Sequence, residues 1–185
     1  NMHIMAPKNK WELSDMLKFA VRFDGPIAIR YPRGTACDLM KEYRAPIEYG
    51  KAELLQTGKD VAILAVGSMV ETALKVKELL EADGMNPTLV NARFVKPIDT
   101  EMIDRLMENH SVIVTMEENV LCGGFGEKVL TYIQDKNRKI QVLPIALPDA
   151  YVEHGNVDLL KKELGMDTET IAGRIKEEVG NTNTI

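Results

Sequence analysis

Cysteine is scarce in this chain. Cys37 and Cys122 are the only two, widely separated and outside any CxxC spacing, which excludes a disulfide framework and a cysteine-based zinc site and leaves two reduced thiols. Aromatic residues make up only 5%, and the 23 lysines and arginines are scattered among 28 acids, for a net charge of -5. With no basic stripe and few stacking platforms, there is no nucleic-acid footprint. Long apolar runs are missing too. Runs such as 61–66 are far too short to span a bilayer, and the first residues lack the charged and apolar regions of a secretion signal. These absences point to a cytoplasmic enzyme or module with no nucleic-acid or membrane partner. What is present suffices for a core: 45% of the 185 residues are hydrophobic, enough for one domain plus part of another.

The apolar period alternates between two and 3.6, as it does when strands and helices take turns. Segments 61–66, 88–92, 112–116 and 140–145 read as short apolar strands, each followed by helix-capable sequence. Ser68 with Glu71 reads as a capping box for a helix whose stripe is Met69, Ala73, Val76 and Leu80. Asp99 caps a helix with Met102, Ile103, Leu106 and Met107 inward. Phe125, Val129 and Ile133 face inward on a third, Val157, Leu160 and Leu164 on a fourth, and Ile171, Ile175 and Val179 on a fifth. Crossover connections imply an α/β fold, a mostly parallel sheet covered by helices on both faces, over residues 51–179. The tail 180–185 is expected to fray.

Residues 1–40 do not add up to a domain. After the apolar scrap His3-Ile4-Met5, Asn9 and Glu12 cap a helix with the stripe Leu13, Met16, Leu17, Ala20 and Val21, and one strand follows over 25–31. That much surface does not offset its own conformational entropy, so this segment reads as the remnant of a second α/β domain joined by a linker, 41–50. Asn1 before Met2 is not an ordinary translation start, so the chain is expected to be a fragment or to carry the remnant of a tag.

The strand at 25–31 stops on Arg30-Tyr-Pro-Arg33-Gly34. Pro32 ends ladder pairing and Gly34 lets the backbone turn, so Arg33 is pushed out at the strand's C-terminal end, the ligand end of open α/β sheets. A forked, permanently charged guanidinium there suits a phosphate or carboxylate; the plain alternative is a surface arginine paired with a nearby acid. Four other features have similar double readings. Glu117-Glu118-Asn119, in a loop just past the 112–116 strand, offers carboxylates for acid-base work or a cation, or simply a solvated loop. Gly123-Gly124-Phe125-Gly126 opens a helix but lacks GxGxxG spacing, and the preceding glutamates would repel an anion, so a tight turn with close helix packing is favoured. Arg93 and Lys96 end another strand and could grip an anionic ligand or pair with Glu117 and Glu118 across the sheet's end; the pairing is favoured. His154 lies in a turn before a helix, and the three histidines form no metal-like cluster.

Five blocks carry a family resemblance: Ala6-Pro7-Lys8 before a helix, Ile29-Arg-Tyr-Pro-Arg-Gly34, Asn91-Ala-Arg-Phe-Val-Lys-Pro97, Glu117-Glu118-Asn119 with Gly123-Gly-Phe-Gly126, and Leu147-Pro-Asp149 with Glu153-His-Gly155. In order and spacing the chain resembles, from about Met2 to Val179, the last third of the 1-deoxy-D-xylulose-5-phosphate synthases, members of the transketolase-like thiamine-diphosphate enzymes.

The resemblance implies a transketolase C-terminal domain at 51–179 and the end of the pyrimidine-binding domain at 1–40. The whole enzyme would condense pyruvate with glyceraldehyde 3-phosphate, releasing carbon dioxide, to feed isoprenoid, thiamine and pyridoxal synthesis as a homodimer. Thiamine diphosphate and magnesium would be held by parts outside this chain, as would the catalytic glutamate and histidine, so no catalytic, cofactor or metal residue is assigned here. Arg33 matches the arginine that holds the phosphate of glyceraldehyde 3-phosphate, while Arg30 is expected in a structural salt bridge. The fragment alone is expected to be inactive. Two other readings stay open: a subunit of another thiamine-dependent 2-oxo acid dehydrogenase or oxidoreductase, and a non-catalytic binding or assembly module of the same fold.

Overall fold

The computed structural model describes residues 1–136 and 138–182. In chain order the elements are β1 (His3–Met5), α1 (Lys10–Arg22), β2 (Ile27–Ile29), β3 (Glu53–Gln56), β4 (Ala62–Ala65), α2 (Met69–Ala82), β5 (Thr88–Asn91) and β6 (Phe94–Lys96). They continue with α3 (Thr100–Asn109), β7 (Val112–Val120), α4 (Phe125–Asp135), β8 (Gln141–Leu147), α5 (Val157–Glu163) and α6 (Thr168–Thr182).

The main sheet has the order β3-β5-β4-β7-β8, parallel throughout except for the antiparallel edge strand β3. Its alternating side chains feed two cores. Val61, Ile63 and Ala65 join Val112, Val114 and Met116 under α2 and α6, while Ala62, Leu64 and Val66 join Ile113 under α3 and α4. Both faces of β4 and β7 are therefore buried, which is why those strands read as continuous apolar runs. The α2 stripe Met69, Ala73, Val76 and Leu80 is fully buried, as the helical period requires.

A second sheet, β2-β1-β6, crosses from the first 40 residues into the following domain. β1 runs parallel to β2 and antiparallel to β6, with Met5 opposite Phe94. Met5, Met16 and Phe94 make a third small core between them. The scrap His3-Ile4-Met5 is thus a strand, too short to show periodicity, and β6 is the partner that sequence reasoning did not foresee.

Several local expectations are corrected. The α1 stripe is largely open: Met16 is buried, but Leu17 and Val21 are 51% and 87% exposed. Helix α5 buries none of its residues, and Leu160 and Leu164 are only half-buried. Ser68 starts α2 without a side-chain cap bond, because its hydroxyl donates to Glu118 instead and Glu71 is taken by Lys75. Asn9 and Asp99 do cap their helices, accepting from the Glu12 and Met102 amides at 2.9 and 3.1 Å. Residues 180–182 continue α6 rather than fraying, and 183–185 lie outside the described residues.

Candidate functional site

The segment after β2 runs across the C-terminal ends of the parallel strands, where β4 passes through Val66 and Gly67 into α2. Arg30 starts it with its amide on the Met5 carbonyl at 2.8 Å, and residues 31–36 are all exposed. Two hollows flank this strap. One, of about 340 Å³, is lined by Lys8, Lys10, Arg33, Cys37, Ser68 and Glu71 among others. The other, of about 230 Å³, includes Arg30, Gly67 and Glu118, and Tyr31, Pro32 and Ser68 border both. They form one cleft astride the strap.

Arg33 stands at the rim of the larger hollow, exposed and without a hydrogen bond or ion pair to any described residue. The acids nearby are already engaged: Glu71 with Lys75 at 2.8 Å, Glu118 with Lys161 at 3.3 Å and the Ser68 hydroxyl. The surface-pair alternative for Arg33 is therefore not what the structure contains. Arg30 is not in a salt bridge with any described residue either; its charge acts on Glu117 at longer range. Cys37, half-buried in the same hollow, has its thiol pushed up by burial, so it stays protonated at neutral pH.

Glu117, Glu118 and Asn119 are not loop residues, because β7 runs on to Val120. Strand alternation separates the two carboxylates. Glu117 is 1% exposed and accepts from the Phe125 and Gly126 amides at 2.9 and 2.7 Å, so it caps the N-terminus of α4. Burial pushes its carboxyl above the usual glutamate range against those two bonds and the charge of Arg30. The glycine-rich turn is small to admit this carboxylate: a Cβ at Gly124 would lie 2.4 Å from the Val120 carbonyl and 2.7 Å from the Glu117 oxygens. A cofactor diphosphate does not fit there, since the protein's own carboxylate fills the anion position.

Arg93 does not reach Glu117 or Glu118. Its guanidinium is buried instead, with Nε on Glu12 at 2.8 Å and a terminal nitrogen 3.1 Å from Glu53. Lys8 joins both carboxylates, at 3.0 Å to Glu12 and 2.6 Å to Glu53, and Asn91 donates to Glu12 at 2.9 Å. Two cations thus balance two carboxylates inside the protein. The i,i+4 spacing of Lys8 and Glu12 was the one readable sign of this cluster. Nothing in the sequence pointed to Glu53.

The histidines are apart. His3 meets the Tyr49 hydroxyl at 3.0 Å, His110 lies between Thr88 and the Leu106 carbonyl, and His154 is exposed in the segment before α5. Among the described residues no group of three or more His, Cys, Asp or Glu is arranged to hold a metal ion. No described helix is long and apolar enough to cross a membrane.

Residues 50–171 match the family of transketolase C-terminal domains. The chain belongs to that family. As a transketolase C-terminal domain with its preceding strap, it is 47% identical over 178 residues to 1-deoxy-D-xylulose-5-phosphate synthase of Lachnoclostridium phytofermentans, covering 96% of this chain and 28% of that protein. The synthase of Synechococcus elongatus is 43% identical over 187 residues, covering 100% and 29%. The chain is therefore similar to the C-terminal part of these synthases and spans less than a third of the length of the curated relatives it matches. Among solved structures, a split-gene transketolase described as an inactive beta4 tetramer superposes with TM-score 0.82 at 26% identity, over 97% of this chain and 58% of that one. The transketolase of Campylobacter jejuni superposes with TM-score 0.72 at 17% identity, over 96% and 26%, which shows the shared fold.

Proposed function

We propose that this chain is the C-terminal part of a transferase that condenses pyruvate with glyceraldehyde 3-phosphate to 1-deoxy-D-xylulose 5-phosphate and carbon dioxide. In that reading Arg33 receives the phosphate of glyceraldehyde 3-phosphate. The observation that carries it is the free guanidinium of Arg33 at the mouth of the strap cleft, beside the ends of the parallel strands. A phosphate needs a fixed, unpaired cation, and neighbouring acids that are already neutralised leave this one available. The 41–47% identical relatives are named 1-deoxy-D-xylulose-5-phosphate synthase, which supports the product.

Thiamine diphosphate, held with magnesium by parts of the enzyme outside this chain, supplies the decarboxylating carbon chemistry. This chain's residues bind, orient and pack: Arg33 at the substrate, the C-terminal domain in contacts with the remaining domains and a second subunit. A cytoplasmic homodimer serving isoprenoid and thiamine synthesis completes the reading. The chain alone is inactive, as the split-gene transketolase tetramer is described to be. Steady-state kinetics of Arg33→Ala in the complete enzyme test the proposal: the KM for glyceraldehyde 3-phosphate should rise while that for pyruvate holds. Equal damage to both substrates would refute the phosphate role.

A further inference from the structure

Arg33 itself is bonded to no described residue, yet the strap that bears it is tied at both ends. Upstream, the Arg30 amide is on the Met5 carbonyl. Downstream, the Asn9 side-chain amide donates to the carbonyls of Leu39 and Met40 at 3.0 and 3.2 Å, and the Lys10 amide reaches the Cys37 carbonyl at 3.4 Å. Asn9 is also the cap of α1, so its one amide group is bonded on both the oxygen and the nitrogen side. Glu12, whose amide Asn9 caps, is gripped by Arg93 Nε, while the two terminal nitrogens of Arg93 donate to the Pro46 and Ala45 carbonyls at 3.0 and 2.9 Å. One buried guanidinium therefore holds both the helix start that anchors the strap and the chain that leaves it. Arg93 does so from a left-handed backbone at φ 58, a conformation a non-glycine residue keeps only where its surroundings over-determine it.

We propose that Arg93 and Asn9 are positioning residues for Arg33, fixing the strap in the cleft without touching substrate; this rests on reading Arg33 as the phosphate ligand. The fork of Arg93 meets a carboxylate and two carbonyls at set angles, which a lysine ammonium does not reproduce despite keeping the charge. Asn9→Ser keeps the capping oxygen but removes the donors to the strap.

The test compares glyceraldehyde 3-phosphate with unphosphorylated glyceraldehyde in the complete enzyme carrying Arg93→Lys or Asn9→Ser. Each variant should raise the KM for the phosphorylated aldehyde roughly tenfold, as small misplacements of a binding group do. The KM for pyruvate and the kinetics with the unphosphorylated aldehyde should hold. In an Arg33→Ala background neither change should reduce the preference for the phosphorylated aldehyde further. If Arg93→Lys does not fold, Asn9→Ser decides. Equal losses with both aldehydes, unaltered kinetics, or additive losses in the Arg33→Ala background overturn the inference alone. Arg33→Ala without a phosphate-selective loss overturns the phosphate reading, and this inference with it.

Discussion

The Glu12 carboxylate meets Arg93 Nε at 2.8 Å inside the protein, although one residue belongs to α1 and the other to the turn between β5 and β6. Both are nearly inaccessible, at 3% and 2% exposure. The pair joins the segment bearing Arg33 to the transketolase C-terminal domain, in parallel with the β1–β6 ladder.

Removing one partner leaves an uncompensated buried charge, so Arg93→Ala should destabilise the folded protein by about 3–5 kcal/mol. Urea denaturation followed by circular dichroism measures this. A loss below about 1 kcal/mol would mean that water reaches the cluster and solvates Glu12 and Glu53.

Acid should undo the same cluster through Glu53. Its carboxyl is held below the ordinary glutamate value by the Lys8 hydrogen bond and the charges of Arg93 and Lys8, which outweigh its burial. A lowered folded pKa contributes stability that is fully present above pH 4.5, the ordinary value, and lost as pH falls through the folded one. Glu117 has the opposite sign: its raised carboxyl favours the protonated folded form, and that contribution fades as pH climbs from 4.5 towards its folded value. Stability curves of Glu53→Gln should therefore be flatter than wild type below pH 4.5, and those of Glu117→Gln flatter just above it. Superimposable curves would contradict both assignments.

Gly124→Ala should cost about 1–3 kcal/mol, because its Cβ meets the Val120 carbonyl at 2.4 Å, a backbone atom that cannot swing away. Thermal melts compared with Gly173→Ala, where a Cβ meets nothing within 4 Å, provide the control. Equal melting temperatures for the two would show that the α4 turn has slack.

On the proposed phosphate role of Arg33, Arg33→Ala should cost roughly 2–3 kcal/mol in kcat/KM for glyceraldehyde 3-phosphate, the worth of a charged hydrogen bond. Initial rates at varied aldehyde and saturating pyruvate read it directly.

Periodicity made the parallel strands of the main sheet legible, because buried strands and helices with one apolar stripe leave strong, local patterns, whereas the short edge strand β3 left none. Arg33 was legible for a similar reason: Pro32 and Gly34 punctuate the backbone on either side of it. Glu117 was misread because β7 extends four residues beyond its apolar run, and nothing local signals that a polar stretch stays in a strand. The α1 stripe misled in the other direction, since Leu17 and Val21 have the right spacing but stay largely exposed.

Spacing and residue type alone determined the alternation of β4, β5, β7 and β8 with helices, the caps at Asn9 and Asp99, and the exposed guanidinium at the end of β2, but not β3 or β6; each of the former depends on contacts within a few residues. Only the tertiary structure decided which charges meet. Apart from the neighbouring Lys8 and Glu12, the cluster's members come from distant places in the sequence, at Glu53 and Arg93, and burial makes their pairing obligatory only once the chain has closed around them.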